Sequence, residues 1–224
     1  DLPFLWENFD HFVRAKNGNW GQSMVDHMLA NSNTRVLGWS GFGFRDMIFR
    51  GEPVLTVAGI AGMKMRAPES RLWVRMFELL GAKPTPVTWG EVYTAMQTGV
   101  ADGLEAPAVA ALDMKFDEVT SSVVKTQHMF GILAININET RFQSLSPEFQ
   151  AAVVEAATVA ADFFDADTLE QIKSAYAQME TKGMTVVEPT DRAEWVTAMS
   201  PLWDEVKGDH ADIATMIDLA VAAK

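Results

Sequence analysis

Cysteine is absent from the 224 residues. That removes disulfides, thiolate nucleophiles and cysteine-based metal sites, and leaves the compartment open. Basic charge is scarce: 18 Lys and Arg stand against 30 Asp and Glu, a formal net charge of −12. Such a chain repels nucleic acid and anionic membrane, so neither is expected as a partner. No uninterrupted apolar run approaches the ~18 residues that span a bilayer. The first residues, "DLPFLWENF", lack an initiator methionine and the basic and hydrophobic stretches of a leader. They read instead as structured, aromatic-rich sequence, so an upstream piece is expected, either removed or part of a longer protein.

What remains is ordinary globular material, 48% hydrophobic and 21% charged, enough for one large domain or two small lobes. "NWGQSMVDHMLAN" has helical spacing, and "TRVLGWS" reads as a strand. "GFGF" reads as a glycine-punctuated turn, followed by an extended "RDMIFRGEP". "MKMRA" is a short strand, and "PESRLWVRMFELLGAKP" a helix stopped by Gly81. "TPVTWGEVYTAMQTGVADGLEAP" repeats the strand–helix pattern, and "FGILAININ" is the most strand-like run. Between Glu148 and Lys182 there is neither glycine nor proline. Phe149, Val153, Ala157, Ala160, Phe164, Thr168, Ile172, Tyr176 and Met179 recur at helical spacing there. One helix of ~50 Å follows, long enough to cross between lobes. A short strand, "GMTVVEP", and a helix capped by Thr190 or Asp191 come after it. Strands alternating with helices define an α/β class.

In an open α/β sheet a ligand binds beyond the carboxyl ends of the strands. Arg45, Arg66 and Trp89 fall at such ends. Arginine suits a carboxylate because its planar fork makes two parallel charge-assisted hydrogen bonds. Trp89 suits an apolar wall or a stacking surface. The ordinary alternatives are surface ion pairs for the arginines and a core position for the tryptophan. Asp102 and Glu105 in "ADGLEAP" are conceivable as a general acid/base pair, against the commoner role of acids at turns, capping backbone amides. His11, His27, His128 and His210 lie too far apart in sequence for a helical metal site, so no metal and no cofactor are expected. The 13 methionines are read as core.

"GMKMRAPES", "LLGAKPTPVTWGEVYTAMQTGVADGLEAP", "FDEV" and "LAININETRFQSLSPEFQ" together resemble the DctP-type substrate-binding proteins of TRAP (tripartite ATP-independent periplasmic) transporters. "DLPFLWENFDHF" and "RVLGWSGFGFRDMIF" match what precedes them in that family, so the likeness covers nearly the whole chain. It implies a non-enzymatic, two-lobed α/β protein of the periplasmic-binding-protein type, with mixed sheets and a long hinge-crossing helix. Such a protein captures a small organic acid in the periplasm and passes it to a membrane permease. By the resemblance, Arg66 clamps the carboxylate, Arg45 gives a second polar contact and Trp89 walls the pocket. The chain crosses between lobes near Gly43 and Gly131. That places residues 1–43 and 132–170 in lobe I, and residues 44–131 and 171–224 in lobe II with the C-terminal helices.

Two departures from the family pattern matter. Relatives often read "DGQEN" where this chain has "DGLEA", so Ala106 replaces a frequent ligand contact while Glu105 is retained. The chain also starts within the equivalent of the family's lobe I, so either a fragment is present or the missing piece is replaced, and the first lobe is expected to be incomplete. Exposed sheet edge and apolar surface should follow, with a dimer or an exchange of elements as the possible result. The rivals are a small-acid enzyme using Asp102 or Glu105, a truncated or domain-swapped product without full binding activity, and a sensory receptor.

Overall fold

Two strands of unusual length organise the chain. A computed structural model describes residues 2–209 and 211–224. The described residues form six strands: β1 (Thr34–Phe49), β2 (Lys64–Ala67), β3 (Lys83–Pro86), β4 (Gly103–Pro107), β5 (Ser122–Asn138) and β6 (Thr185–Val187). The helices are α1 (Phe9–Lys16), α2 (Asn19–Ser32), α3 (Val57–Ile60), α4 (Arg71–Leu79), α5 (Val92–Thr98), α6 (Ala108–Asp113), α7 (Glu139–Gln143), α8 (Pro147–Thr181), α9 (Arg192–Met199), α10 (Pro201–Asp209) and α11 (Ala211–Ala222).

All six strands join in one mixed sheet, in the order β3-β2-β4-β1-β5-β6. β1 runs antiparallel to both β4 and β5, whereas β2 is parallel to β3 and β4, and β5 to β6. The period-two alternation of a strand sends successive side chains to opposite faces. Met47, Phe49, Met65, Ala67, Val124 and Met129 enter a core with the N-terminal segment, α4 and α9–α11. Ile48, Leu104, Ala106 and Val123 enter a second core with α5, α6 and the end of α8.

The "GFGF" stretch is not a turn. It lies inside β1, which stays paired with β5 from Thr34↔Asn138 to Phe49↔Ser122 and absorbs its glycines as shifts in register. Bulges of this kind add twist without ending a strand. β5 likewise begins at Ser122, ahead of the apolar run that marks it in the sequence, because "SVVKTQHM" is buried by neighbours on both faces. Gly43 and Gly131 face each other across the ribbon. Gly43 has φ +95°, and a Cβ there would meet the Ile172 Cδ1 at 2.6 Å.

The long helix forms where its composition places it. Ser146 caps it through Phe149 N, Pro147 occupies its first turn, and Gly183 follows its end at φ +90°. Its buried side is made of Ala157, Ala161, Asp165, Thr168, Ala175 and Met179. Small residues let it come close to β1: a Cβ on Gly38 would stand 3.2 Å from the Ala157 carbonyl oxygen. Asp165 is buried because both of its oxygens are used. One accepts from Gly41 N at 2.7 Å and the other from Lys16 Nζ at 2.5 Å, which also reaches the Trp39 carbonyl. Phe149, the first residue of the expected stripe, is instead exposed, as are Val154, Val159 and Phe163. Among the described residues, the outer edges of β1 before Arg45 and of β5 after Met129 carry no strand partner.

Gly43→Ala is expected to lower the unfolding free energy by about 1–2 kcal/mol, since alanine resists this φ and collides with Ile172. Adding Ile172→Val removes the colliding methyl but not the backbone strain, so urea denaturation should show partial recovery. Full recovery, or no cost for the single variant, would refute the account of Gly43.

Candidate functional site

The carboxyl ends of β2, β3 and β4 open onto a cleft of about 400 Å³, lined by Phe42, Arg45, Arg66, Pro68, Ser70, Trp73, Trp89, Pro107 and Ala110. This is the crevice position of an open α/β sheet. Each strand delivers its residue for a local reason. Arg66 is the last polar residue of β2 before Pro68 ends it; β3 gives way to the turn Trp89–Glu91, and β4 to α6. Arg45 reaches the same level because antiparallel pairing sets it opposite Pro107.

The two arginines differ in their electrostatic state. Arg45 grips Glu105 with two nitrogens, Nε to Oε2 and a terminal nitrogen to Oε1 at 2.8 Å, and also donates to the Glu105 carbonyl. Burial opposes the charge on Arg45, but attraction and hydrogen bonds from Glu105 outweigh it, so the net shift of its pKa is upward. Trp73 Nε1 donates to Glu105 Oε1 at 3.0 Å. His128 Nε2 stands 3.8 Å from Glu105 Oε2 without a hydrogen-bond partner, while its Nδ1 meets the Thr126 hydroxyl at 2.8 Å. Burial, aided by Arg45 and Arg192, holds His128 down at about 3, so it is neutral.

Arg66 is only 3% exposed. Its Nε donates to the Val87 carbonyl at 3.0 Å, and its guanidinium lies 5.4 Å from the centre of the Trp89 ring. No carboxylate comes within ion-pair distance of Arg66 among the described residues. Burial lowers its pKa, Glu105 opposes that at longer range and Arg45 adds to it. A buried cation held by one carbonyl and one aromatic face is poorly compensated, and an anion entering the cleft would complete it. Trp89 is itself fixed edge-on to Phe116, ring centres 5.3 Å apart.

Arg45, Arg66 and Trp89, which the sequence proposes, therefore come together. Glu105 and Ala106 do not line the cleft. Glu105 is fully buried behind Arg45, and strand alternation turns Ala106 into the core shared with α5 and α8. Asp102 accepts from Lys64 N at 2.8 Å, a capping role away from the cleft. Trp73 escaped the sequence reading because "RLWVRMFEL" looks like a plain amphipathic helix. Phe42, Ser70, Pro107 and Ala110 carry no signal that spacing could expose. His11 is buried with Nε2 against the Ala220 carbonyl, His27 sits near Asp212 at the surface, and His210 lies outside the described residues. A second hollow of about 260 Å³ lies between α4, α10 and α11, but its Arg71 and Arg75 already face Asp209 and Glu205.

Residues 1–209 match the family model DctP, described as bacterial extracellular solute-binding protein, family 7. The chain belongs to this family. A relative, the 2,3-diketo-L-gulonate-binding periplasmic protein YiaO of Escherichia coli (strain K12), is 31% identical over 199 residues, covering 89% of this chain and 60% of the relative. A TRAP periplasmic solute-binding protein from Roseobacter denitrificans, crystallised with β-D-glucuronate, superimposes with a TM-score of 0.94 at 30% identity, covering 100% of this chain and 74% of that one. Another from Chromohalobacter salexigens, with bound D-glucuronate, gives a TM-score of 0.94 at 27% identity with the same coverage. The chain spans 57% to 60% of the length of the first curated relatives it matches. The family's α/β architecture with a mixed sheet is thus the architecture of this chain.

Beside the cleft, Asp46 points to the opposite face of β1 and is fully buried. It accepts from Gln127 N at 3.1 Å and from the Tyr176 hydroxyl at 2.5 Å, with Lys125 and Glu188 nearby. Burial raises its pKa to about 7 against those hydrogen bonds and Lys125, with Glu188 adding to the rise. An unfolded aspartate ionises near about 3.9. The stability linked to Asp46 is therefore complete below that value and declines as pH rises to about 7. His128 works the other way, losing stability as pH falls from about 6.5 toward its depressed value. Asp46→Asn should then raise the melting temperature relative to the parent above about pH 7, by about 2–4 °C per kcal/mol regained, with little gain near about pH 4. Equal shifts at both pH values would contradict the buried-acid assignment.

Proposed function

We propose that this chain acts in a periplasmic solute-binding protein that captures a small organic acid and hands it to a TRAP-type membrane permease. The observation that carries the reading is Arg66, a buried guanidinium with no carboxylate partner among the described residues, set in a strand-end cleft lined by Trp73 and Trp89. Arg66 holds the carboxylate, Arg45, itself paired with Glu105, offers a second polar contact, and Trp89 excludes water. Ligands printed for the relatives, a diketo-gulonate and glucuronate, are acids of this kind and support the choice. No described helix is long and apolar enough to cross a membrane.

The lobe division suggested by the sequence is kept as part of the proposal. The crossing from lobe I (1–43 and 132–170) to lobe II (44–131 and 171–224) falls where Gly43 faces Gly131, with α8 alongside. Closure about that level would bring lobe I down on the cleft. The enzyme alternative loses its residues, because Asp102 caps a strand and Glu105 is locked to Arg45. The comparisons lend the expected dimer no support, and it forms no part of the proposal.

Calorimetry with D-glucuronate and D-galacturonate tests the reading. The parent chain should bind at least one of them, and Arg66→Ala should weaken that binding by roughly 100-fold or more, the usual penalty for losing one side of a buried charge pair. Circular dichroism should show the variant folded. Undiminished binding by the folded variant would overturn the role of Arg66.

A further inference from the structure

Resting on the reading above, we infer that the buried polar cluster around Asp46 is a proton site coupled to the cleft, so that an anion entering beside Arg45 draws a proton onto the Asp46 carboxyl. The cluster is built where three elements meet. On the β1–β5 ladder Arg45 pairs with Met129 and Met47 with Val124, so Asp46 stands alone against Lys125, Thr126, Gln127 and His128. That surplus bulges out of β5, and Gln127 within it takes a left-handed φ of +47°. A residue other than glycine keeps such a conformation only where its surroundings fix it. The fixing group here is Asp46, which accepts from Gln127 N at 3.1 Å and, from α8, from the Tyr176 hydroxyl at 2.5 Å.

The charges that face this carboxyl are spent elsewhere. Lys125 is paired with Glu188 at 2.5 Å and lies over the Tyr176 ring, and Arg45, next along β1, lines the cleft and is taken by Glu105. Asp46 is left fully buried with two neutral donors, and burial raises its pKa to about 7. In neutral solution the carboxyl is therefore poised, and a charge arriving nearby tips it. Consecutive strand side chains leave on opposite faces. An anion on the Arg45 side of the cleft then lies on the order of 10 Å from Asp46, and at an effective dielectric of about 20 its charge favours the protonated acid by roughly tenfold. The Tyr176 contact also ties β1 to α8 a few positions from Gly43, so the closure proposed above and the state of this carboxyl act on one joint. Linkage is reciprocal: a protonated Asp46 must tighten anion binding by the same factor.

Calorimetry with D-glucuronate and D-galacturonate, repeated in buffers of unlike ionisation enthalpy, reads both sides of the linkage. A sugar acid stays ionised above about pH 5, so the protons counted belong to the protein. On binding, the unmodified chain should take up roughly 0.4 proton near about pH 7 and little near about pH 5 or about pH 9. It should also bind roughly five- to tenfold more tightly at about pH 5.5 than at about pH 8.5. Asp46→Asn presents the hydrogen-bonding pattern of the protonated acid, so it should bind without proton uptake and equally at both pH values. Tyr176→Phe removes a hydrogen bond that favours the ionised form, so the pH of maximal uptake should move up; a purely structural contact would leave it in place. Binding by the parent without proton uptake, or uptake that survives in Asp46→Asn, would overturn the inference while leaving the acid-binding reading standing. Absence of binding for both acids at every pH would remove that reading and the inference with it. Should Asp46→Asn fail to fold, the pH of maximal uptake in the parent and in Tyr176→Phe decides.

Discussion

Everything in this molecule hangs on one antiparallel ribbon. β1 and β5 are 16 and 17 residues long, and the 35-residue α8 packs against β1 through Ala157, Ala161, Asp165 and Ile172. The lower half of the ribbon is the centre of the sheet, with β4 on one side and β6 on the other; the upper half stands as two strands against α8. What fixes the three pieces to one another is polar as well as apolar. Asp165 and Lys16 tie the helix to Gly41 and Trp39, and Asp46 ties β1 to Tyr176 further along the same helix. Both carboxylates are buried, and both are tolerable there only because donors surround them.

The binding chemistry follows from that ribbon by way of register. Arg45 is on β1 and Glu105 on β4, 60 positions apart in sequence, and they meet because antiparallel pairing sets Met47 beside Glu105 and Arg45 beside Pro107. Arg66 comes from a strand that runs the other way and finds no such partner. Two residues of one type, a few ångströms from one cleft, thus carry different electrostatic duties: one is neutralised in the fold, the other is left to be neutralised by what binds.

Sequence patterning exposed the parts whose cause is local. The glycine- and proline-free stretch before Lys182, the stop at Gly99 and the N-cap at Asp191 are all read from neighbours a few residues away. Arg66 and Trp89 were legible because strand ends announce themselves by the residues that break them; Arg45 was chosen as a strand end but lies inside β1, and it reaches the cleft only because its partner Pro107 ends β4. The continuity of β1 through "GFGF" was not, since glycines that make bulges and glycines that make turns look the same until a partner strand is known. The fates of Glu105 and Ala106 were hidden for a similar reason: adjacent residues of a strand face opposite ways, and only the layers on either side tell which way is the cleft. Trp73 looked like helix packing, and its indole nitrogen matters only because Glu105 is within reach.

The facing glycines of the ribbon, Gly43 and Gly131, have a mechanical consequence. A two-stranded ribbon resists flexing partly through side chains packed across it, and at this one level there are none to compress. The backbone ladder continues on either side, so the ribbon behaves as a strip notched at a single height. α8 passes that height without a break, an elastic rod beside the notch. A strip and a rod fastened together bend easily in one plane and poorly in any other, so the lobe closure proposed above would follow a single, repeatable direction.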